Sequence, residues 1–199
     1  SGVNATTLVV YAALNGLFLF LMLQLQNVLR YGPIAAGASL LPVFGLMLLF
    51  SPLAGRVAAR RGPRLPMVVG CLVTAAGSLL FMRVRPGANY ATSVLPAAIV
   101  FGLGLACFVA PLTSVALGAL DEHLAGLASG VNNAVARLAG LFATAALPLA
   151  IGLGGAQELR ADQLATGFVR AMIICAVLCV AGSVVAAMTI GDSIEPREA

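Results

Sequence analysis

Charge is what this chain has least of. Only 9% of its 199 residues are charged and lysine is absent, whereas a water-soluble domain carries about 25% charged residues. So few charges cannot cover a water-facing surface, which excludes a soluble globular core. With 61% hydrophobic residues and a mean hydropathy of +1.05, the apolar side chains must face something other than water. The net charge of +4 does not point to nucleic acid. The arginines are scattered over short loops and form no basic stripe with interleaved aromatics. The four cysteines (Cys71, Cys107, Cys175, Cys179) all lie inside apolar runs. They read as small buried hydrophobes and not as a disulfide framework. Cys175 and Cys179 share a helical face, but no histidine or acid stands beside them to complete a metal site. No metal or cofactor is expected.

Six apolar runs are present, and a membrane-spanning helix needs about 20 residues. They cover about 7–25, 38–59, 65–82, 94–120, 124–153 and 168–190. Backbone groups in lipid must be bonded internally, so runs of this length mean helices. The alternation that would suggest a β-barrel is missing. The expectation is an all-α membrane protein whose six transmembrane helices form one bundle over residues 1–199. The linkers, such as "RRGPR", "RVRPGANY", "DEH" and "GGAQELRADQ", are too short to fold alone. The chain opens on Ser1 and its first apolar run is too long for a signal peptide. It is therefore expected to be a segment of a longer protein.

Arg56, Arg60, Arg61 and Arg64 cluster between the second and third spans. The positive-inside rule puts that loop, and with six spans both ends of the segment, in the cytoplasm. Arg30, Arg83, Arg85 and Arg160 fall on the opposite side and weigh against it. The 22 glycines let helix backbones approach in a medium that offers little hydrophobic drive between helices. Prolines in or near the spans (Pro42, Pro52, Pro66, Pro96, Pro111, Pro148) favour kinks. Both suit a bundle that rocks between two states.

The fifth run carries the most information. At about 100° per residue, Gly126, Gly130, Asn133, Arg137, Gly140 and Thr144 fall close to one line, with Leu127, Val131, Val135 and Leu138 off it. That small, polar face should meet a neighbouring helix or a wet cavity, with Gly126, Gly130 and Gly140 as packing positions. Arg137 is the only ionisable residue deep within a run. A charge there costs at least about 2.5 kcal/mol, which makes it a functional candidate. No acid lies in any run to pair with it. Tyr11 and Asn15, one turn apart in the first run, can hydrogen-bond a solute without charge. Gln24, Gln26 and Asn27 sit at the outer end of that run. Thr113 and Ser114 read as bonding their own backbone. The third and sixth runs are nearly devoid of polarity and read as outer, lipid-facing supports.

The segment "SPLAGRVAARRGPR" resembles the loop motif of the major facilitator superfamily, roughly G-x-L-A-D-R-x-G-x-R. Arg60, Gly62 and Arg64 match it, Arg56 joins the cluster, and Ala59 stands where the motif has its Asp. "LQLQNVLRYGPIAAGASLLP" and "AGLASGVNNAVARLAG" are similar to stretches of the 14-helix drug:proton antiporter branch, with Asn133 and Arg137 matching its Asn and Arg. The resemblance implies one of two bundles around a central cavity, the C-terminal one. Its partner would be an N-terminal half of six to eight helices, in the inner cell membrane. It also implies a small amphiphilic substrate exported in exchange for protons, with the coupling acids in the other half. Tyr11, Asn15, Asn133 and Arg137 would be the substrate contacts.

Two other readings compete. A non-transporting membrane scaffold would use the polar face of the fifth helix as a partner interface. An intramembrane serine protease would need a G-x-S-G elbow and a later histidine. Here Gly126 is misplaced relative to Ser129, and the lone His123 precedes it. No enzymatic activity is expected.

Overall fold

The computed structural model describes residues 2–118, 125–153 and 161–191. The expected linker at 121–123 with His123, most of the linker at 154–160 with Arg160, and the tail from 192 lie outside the described residues. Among the described residues every regular element is helical. The elements are α1 (Gly2–Leu23), α2 (Pro33–Ala38), α3 (Leu41–Arg61), α4 (Arg64–Phe81), α5 (Leu95–Gly118), α6 (Ala125–Ala150) and α7 (Ala161–Thr189). π-helical turns extend α1 through Gln24–Val28 and open α5 at Tyr90–Val94. Six of these segments are long and apolar enough to cross a membrane.

The chemistry of the ends explains where the helices run longer than the apolar runs. Within α1 the Thr6 and Thr7 hydroxyls lie 3.0 and 2.9 Å from the carbonyls of Gly2 and Val3, one turn earlier. Thr7 therefore belongs inside the helix and not at its start. α7 starts at Ala161, about two turns before Phe168, with Asp162 in its first turn, where a carboxylate meets the positive end of the helix dipole. Arg30 ends the first span with φ 58°, the left-handed conformation that closes many helices. The Tyr31 N–H then bonds back to the Leu25 carbonyl at 2.9 Å, and Pro33 opens α2 at its first position.

The packing follows an inverted repeat. α1 packs along α7 and α6, α5 packs along α4 and α3, and α4 packs against α7. Exchanging α1 with α5, α3 with α6 and α4 with α7 maps these packings onto one another. The exchanged helices also run in opposite directions, because successive spans alternate. This is the three-plus-three inverted topology found within single halves of transporters.

Glycines set the closest approaches. A Cβ on Gly77 would lie 2.6 Å from the Phe101 backbone, and one on Gly70 would lie 2.7 Å from the Phe108 nitrogen. Gly104 backs onto Thr74. α4 and α5 thus touch backbone to backbone. The counterpart seam between α1 and α7 uses Gly182 against Val10, and Gly16 meets Leu147 and Cys175. Such seams gain dispersion contacts that lipid tails cannot match. Phe20, Phe81, Phe101, Phe108 and Phe168 fill the space between them and are fully buried.

The outside of the bundle is divided. On α4, Leu65, Val69, Leu72 and Leu79 form an exposed apolar stripe, and on α7 Ile173, Val177, Val180, Val184 and Met188 form another. Stripes of that composition suit lipid contact. α3 and α6 are the least enclosed spans. α3 buries only Val43, Ala54 and Ala58. Among its described residues, α6 buries only Ala139, Ala143 and Leu147.

Candidate functional site

α1 and α6 run in the same direction and hold one register. The Thr7 hydroxyl lies 2.8 Å from the Asn132 side-chain oxygen, across 125 residues of sequence. The same separation brings Asn15 to Gly140, where an added Cβ would sit 3.1 Å from the Asn15 amide carbon. In that register Tyr11 is level with Ala136, beside Arg137. That register sets Tyr11 and Asn15 beside the middle of α6.

Asn15 is exposed and donates its amide to the Tyr11 carbonyl at 2.8 Å. That bond fixes the side chain against α1 and leaves its oxygen available beside Gly140. Tyr11 is half-buried. Its ring packs on the core, and its hydroxyl has no hydrogen-bond partner among the described residues. On α6, Gly126, Gly130, Asn133, Arg137 and Thr144 are exposed and Gly140 is half-buried. Thr144 spends its proton on the Gly140 carbonyl. Neither Gly126 nor Gly130 has any atom within 4 Å of an added Cβ, so neither packs against a helix among the described residues.

α6 is three-sided. Asn132, Ala139, Ala143 and Leu147 face α1 and the core, while Leu127, Val131, Leu138, Leu141 and Phe142 are exposed and apolar. The polar strip lies between these faces and is open along its length. Arg137 stands halfway along the helix with no hydrogen bond or ion pair to any described residue. An arginine at that depth is stable only facing water, carbonyls or an anion.

Sequence reasoning singled out Asn133, but Asn132 makes the interhelical bond, to Thr7. Two adjacent asparagines give no pattern that separates them. The quarter-turn between them decides which faces α1. Gln24, near Gln26 and Asn27 at the end of the first span, differs from both. It is buried and donates to the Val84 carbonyl at 2.9 Å, tying the π-helical end of α1 to the loop after α4. Gln26 is exposed, and Asn27 bonds its own helix at the Leu23 carbonyl. Thr113 and Ser114 are exposed and bond the carbonyls of Val109 and Ala110 in α5.

At the opposite end of the site, α3 and α4 are joined by Gly62 and Pro63 alone. Gly62 has φ 88° and ψ 154°, a conformation essentially restricted to glycine. Any other residue there would force the α3–α4 corner open. Arg56, Arg60, Arg61 and Arg64 are exposed around it. Arg60 and Arg61 occupy the last turn of α3, where the helix dipole favours cations. Ala59, also exposed, brings no acid to the corner. Cys71, Cys175 and Cys179 are buried, and no cluster of potential metal ligands occurs among the described residues.

Residues 4–144 match the family model described as Major Facilitator Superfamily. The chain belongs to the major facilitator superfamily. It is 37% identical over 135 residues to the puromycin resistance protein pur8 of Streptomyces alboniger, covering 66% of this chain and 27% of that protein. It is 33% identical over 147 residues to the tetracenomycin C resistance and export protein of Streptomyces glaucescens, covering 74% of this chain and 27% of that one. The drug efflux pump JefA of Mycobacterium tuberculosis is 30% identical over 169 residues, covering 83% and 33%. The chain thus spans about a quarter to a third of the length of these relatives. A superfamily member of this kind is a multi-pass membrane protein in contact with lipid. The inverted repeat described above is that expected within one superfamily half.

Proposed function

We propose that this chain is the C-terminal six-helix half of a proton-coupled exporter of amphiphilic, drug-like molecules. It works by alternating access against an N-terminal half of six to eight helices, and its chemistry is transport and not catalysis. The observation that carries this reading is Arg137, exposed at mid-membrane with no partner among the described residues. Asn133 lies one turn before it on the same strip, and Asn15 and Tyr11 sit across the seam. A strip that lined lipid would leave the guanidinium uncompensated, whereas one that lines a crevice between two halves lets water or substrate solvate it. The resistance and export proteins among the relatives supply the substrate class.

In this reading the α3–α4 corner is cytoplasmic, the membrane is the inner cell membrane, and both ends of the segment are cytoplasmic. Apart from Asp162 at the edge of α7, no acid lies in the described spans, so proton coupling falls to the other half. Rocking of the two halves would expose the strip alternately to either side.

Single cysteines at Gly130 and Asn133, placed in the full-length transporter with its native cysteines removed, test the proposal. A charged, membrane-impermeant thiol reagent should modify both, and a transported drug should slow the reaction. If neither position reacts from either side, with or without drug or proton gradient, the transport reading fails.

A further inference from the structure

At the membrane edge opposite the α3–α4 corner, an open hollow of about 370 Å³ lies between the loop after α4 and the first turns of α7. It is lined by Arg85, Pro86, Ala165, Thr166, Val169 and Arg170. Two arginines thus border one small space whose walls are mostly apolar. Arg85 has no hydrogen-bond or ion-pair partner among the described residues. Arg170 gives one N–H to the Ile151 carbonyl at 3.2 Å, which steadies the group and leaves its other donors unspent. Thr166 has turned its hydroxyl onto the Asp162 carbonyl. Among the described residues no acidic side chain lines this hollow; Asp162 lines the neighbouring one.

The setting of the hollow matters as much as its charge. Directly along α7 from Val169 and Arg170 runs the exposed stripe of Ile173, Val177, Val180 and Val184. Its steps of three and four residues keep it on one face of the helix. A ligand that fits both features has a compact anion at one end and a long apolar chain at the other. Arginine forks match phosphate oxygens in geometry and charge, the same chemistry by which basic pockets between helices on the cytoplasmic side of membranes hold lipid headgroups. We propose that Arg85 and Arg170 clasp the phosphate of an anionic phospholipid from the leaflet facing the α4–α5 loop, with an acyl chain lying on the α7 stripe. The site is remote from the α1–α6 strip and independent of the transport reading.

The test uses the full-length transporter in detergent, titrated with phosphatidylglycerol and read by native mass spectrometry. Phosphatidylcholine and inorganic phosphate serve as the comparison probes. Phosphatidylglycerol should bind more tightly than phosphatidylcholine. Binding should weaken about 5-fold on removing either arginine (Arg85→Gln, Arg170→Gln) and about 30-fold on removing both. Arg83→Gln, at an exposed residue outside the hollow, should leave binding unchanged. Arg85→Gln alone keeps the test sound if loss of the Ile151 bond disturbs α7. Equal binding of the two lipids, or unchanged binding in Arg85→Gln and the double variant, would overturn the proposal. Displacement of the lipid by an equal concentration of inorganic phosphate would overturn it in favour of a free-phosphate site.

Discussion

Replacing Arg137 by alanine separates three roles that the residue could play, because each predicts a different sign of stability change. If the side chain faced lipid, its removal would relieve the cost of a charge at mid-membrane and stabilise the protein by about 2.5–3.5 kcal/mol. If it were a buried structural anchor, its loss would strand a partner and destabilise the fold by about 3–5 kcal/mol. The structure disfavours the anchor, and the cost of an uncompensated charge in lipid disfavours the first role. The guanidinium is exposed on α6 and bonds no described residue, and alanine suits a helix interior at least as well as arginine. A residue that hangs into a wet crevice should change stability by no more than about 0.5 kcal/mol on removal. The expected outcome for Arg137→Ala in the full-length transporter is therefore near-wild-type unfolding in mixed micelles and normal membrane abundance, with export abolished. Arg137→Lys keeps the charge but not the planar fork, so it should recover part of the export. Wild-type export in Arg137→Ala would remove the residue from the mechanism. A destabilisation of several kcal/mol would show that the arginine holds the fold together, a role for which it has no partner among the described residues, and would refute the reasoning.

Two further perturbations probe the scaffold behind the strip. Gly77→Leu puts a Cβ 2.6 Å from the Phe101 backbone and must wedge α4 from α5, at a cost of about 1–3 kcal/mol measurable as a lower Tm; an unchanged Tm would mean the two helices are not in backbone contact. A double-mutant cycle of Thr7→Val with Asn132→Ala should give a coupling near the ~0.6 kcal/mol average for hydrogen bonds between membrane helices, while the same cycle of Thr7→Val with Asn133→Ala should give none.

What the sequence made legible, and what it hid, divides along one physical line. Spans follow from composition, since about 20 apolar residues can do little else; the third and sixth runs read as outer supports for want of polarity, yet α4 and α7 are more enclosed in the bundle than α3 and α6. The polar strip on α6 was readable because helical periodicity is local. Pairings are not local. Nothing in "GVNNAVAR" shows that Asn132 turns to Thr7 and leaves Asn133 outside, because that depends on the rotation of α6 against α1. The burial of Gln24 depends likewise on where the loop carrying Val84 comes to rest. The glycines show the same divide from the other side. Gly70, Gly77 and Gly104 are packed against backbone, while Gly126 and Gly130 meet no described residue, and composition treats all five alike. In a bundle held by close packing, a glycine with no neighbour carries no cost for being small only if something else comes to lie against it. Two such glycines, Gly126 and Gly130, sit on the strip with Arg137, and others, Gly45 and Gly55, lie on α3. The positions that sequence could not rank are thus the ones whose meaning depends on what the strip faces, and the labelling of Gly130 and Asn133 addresses that surface directly.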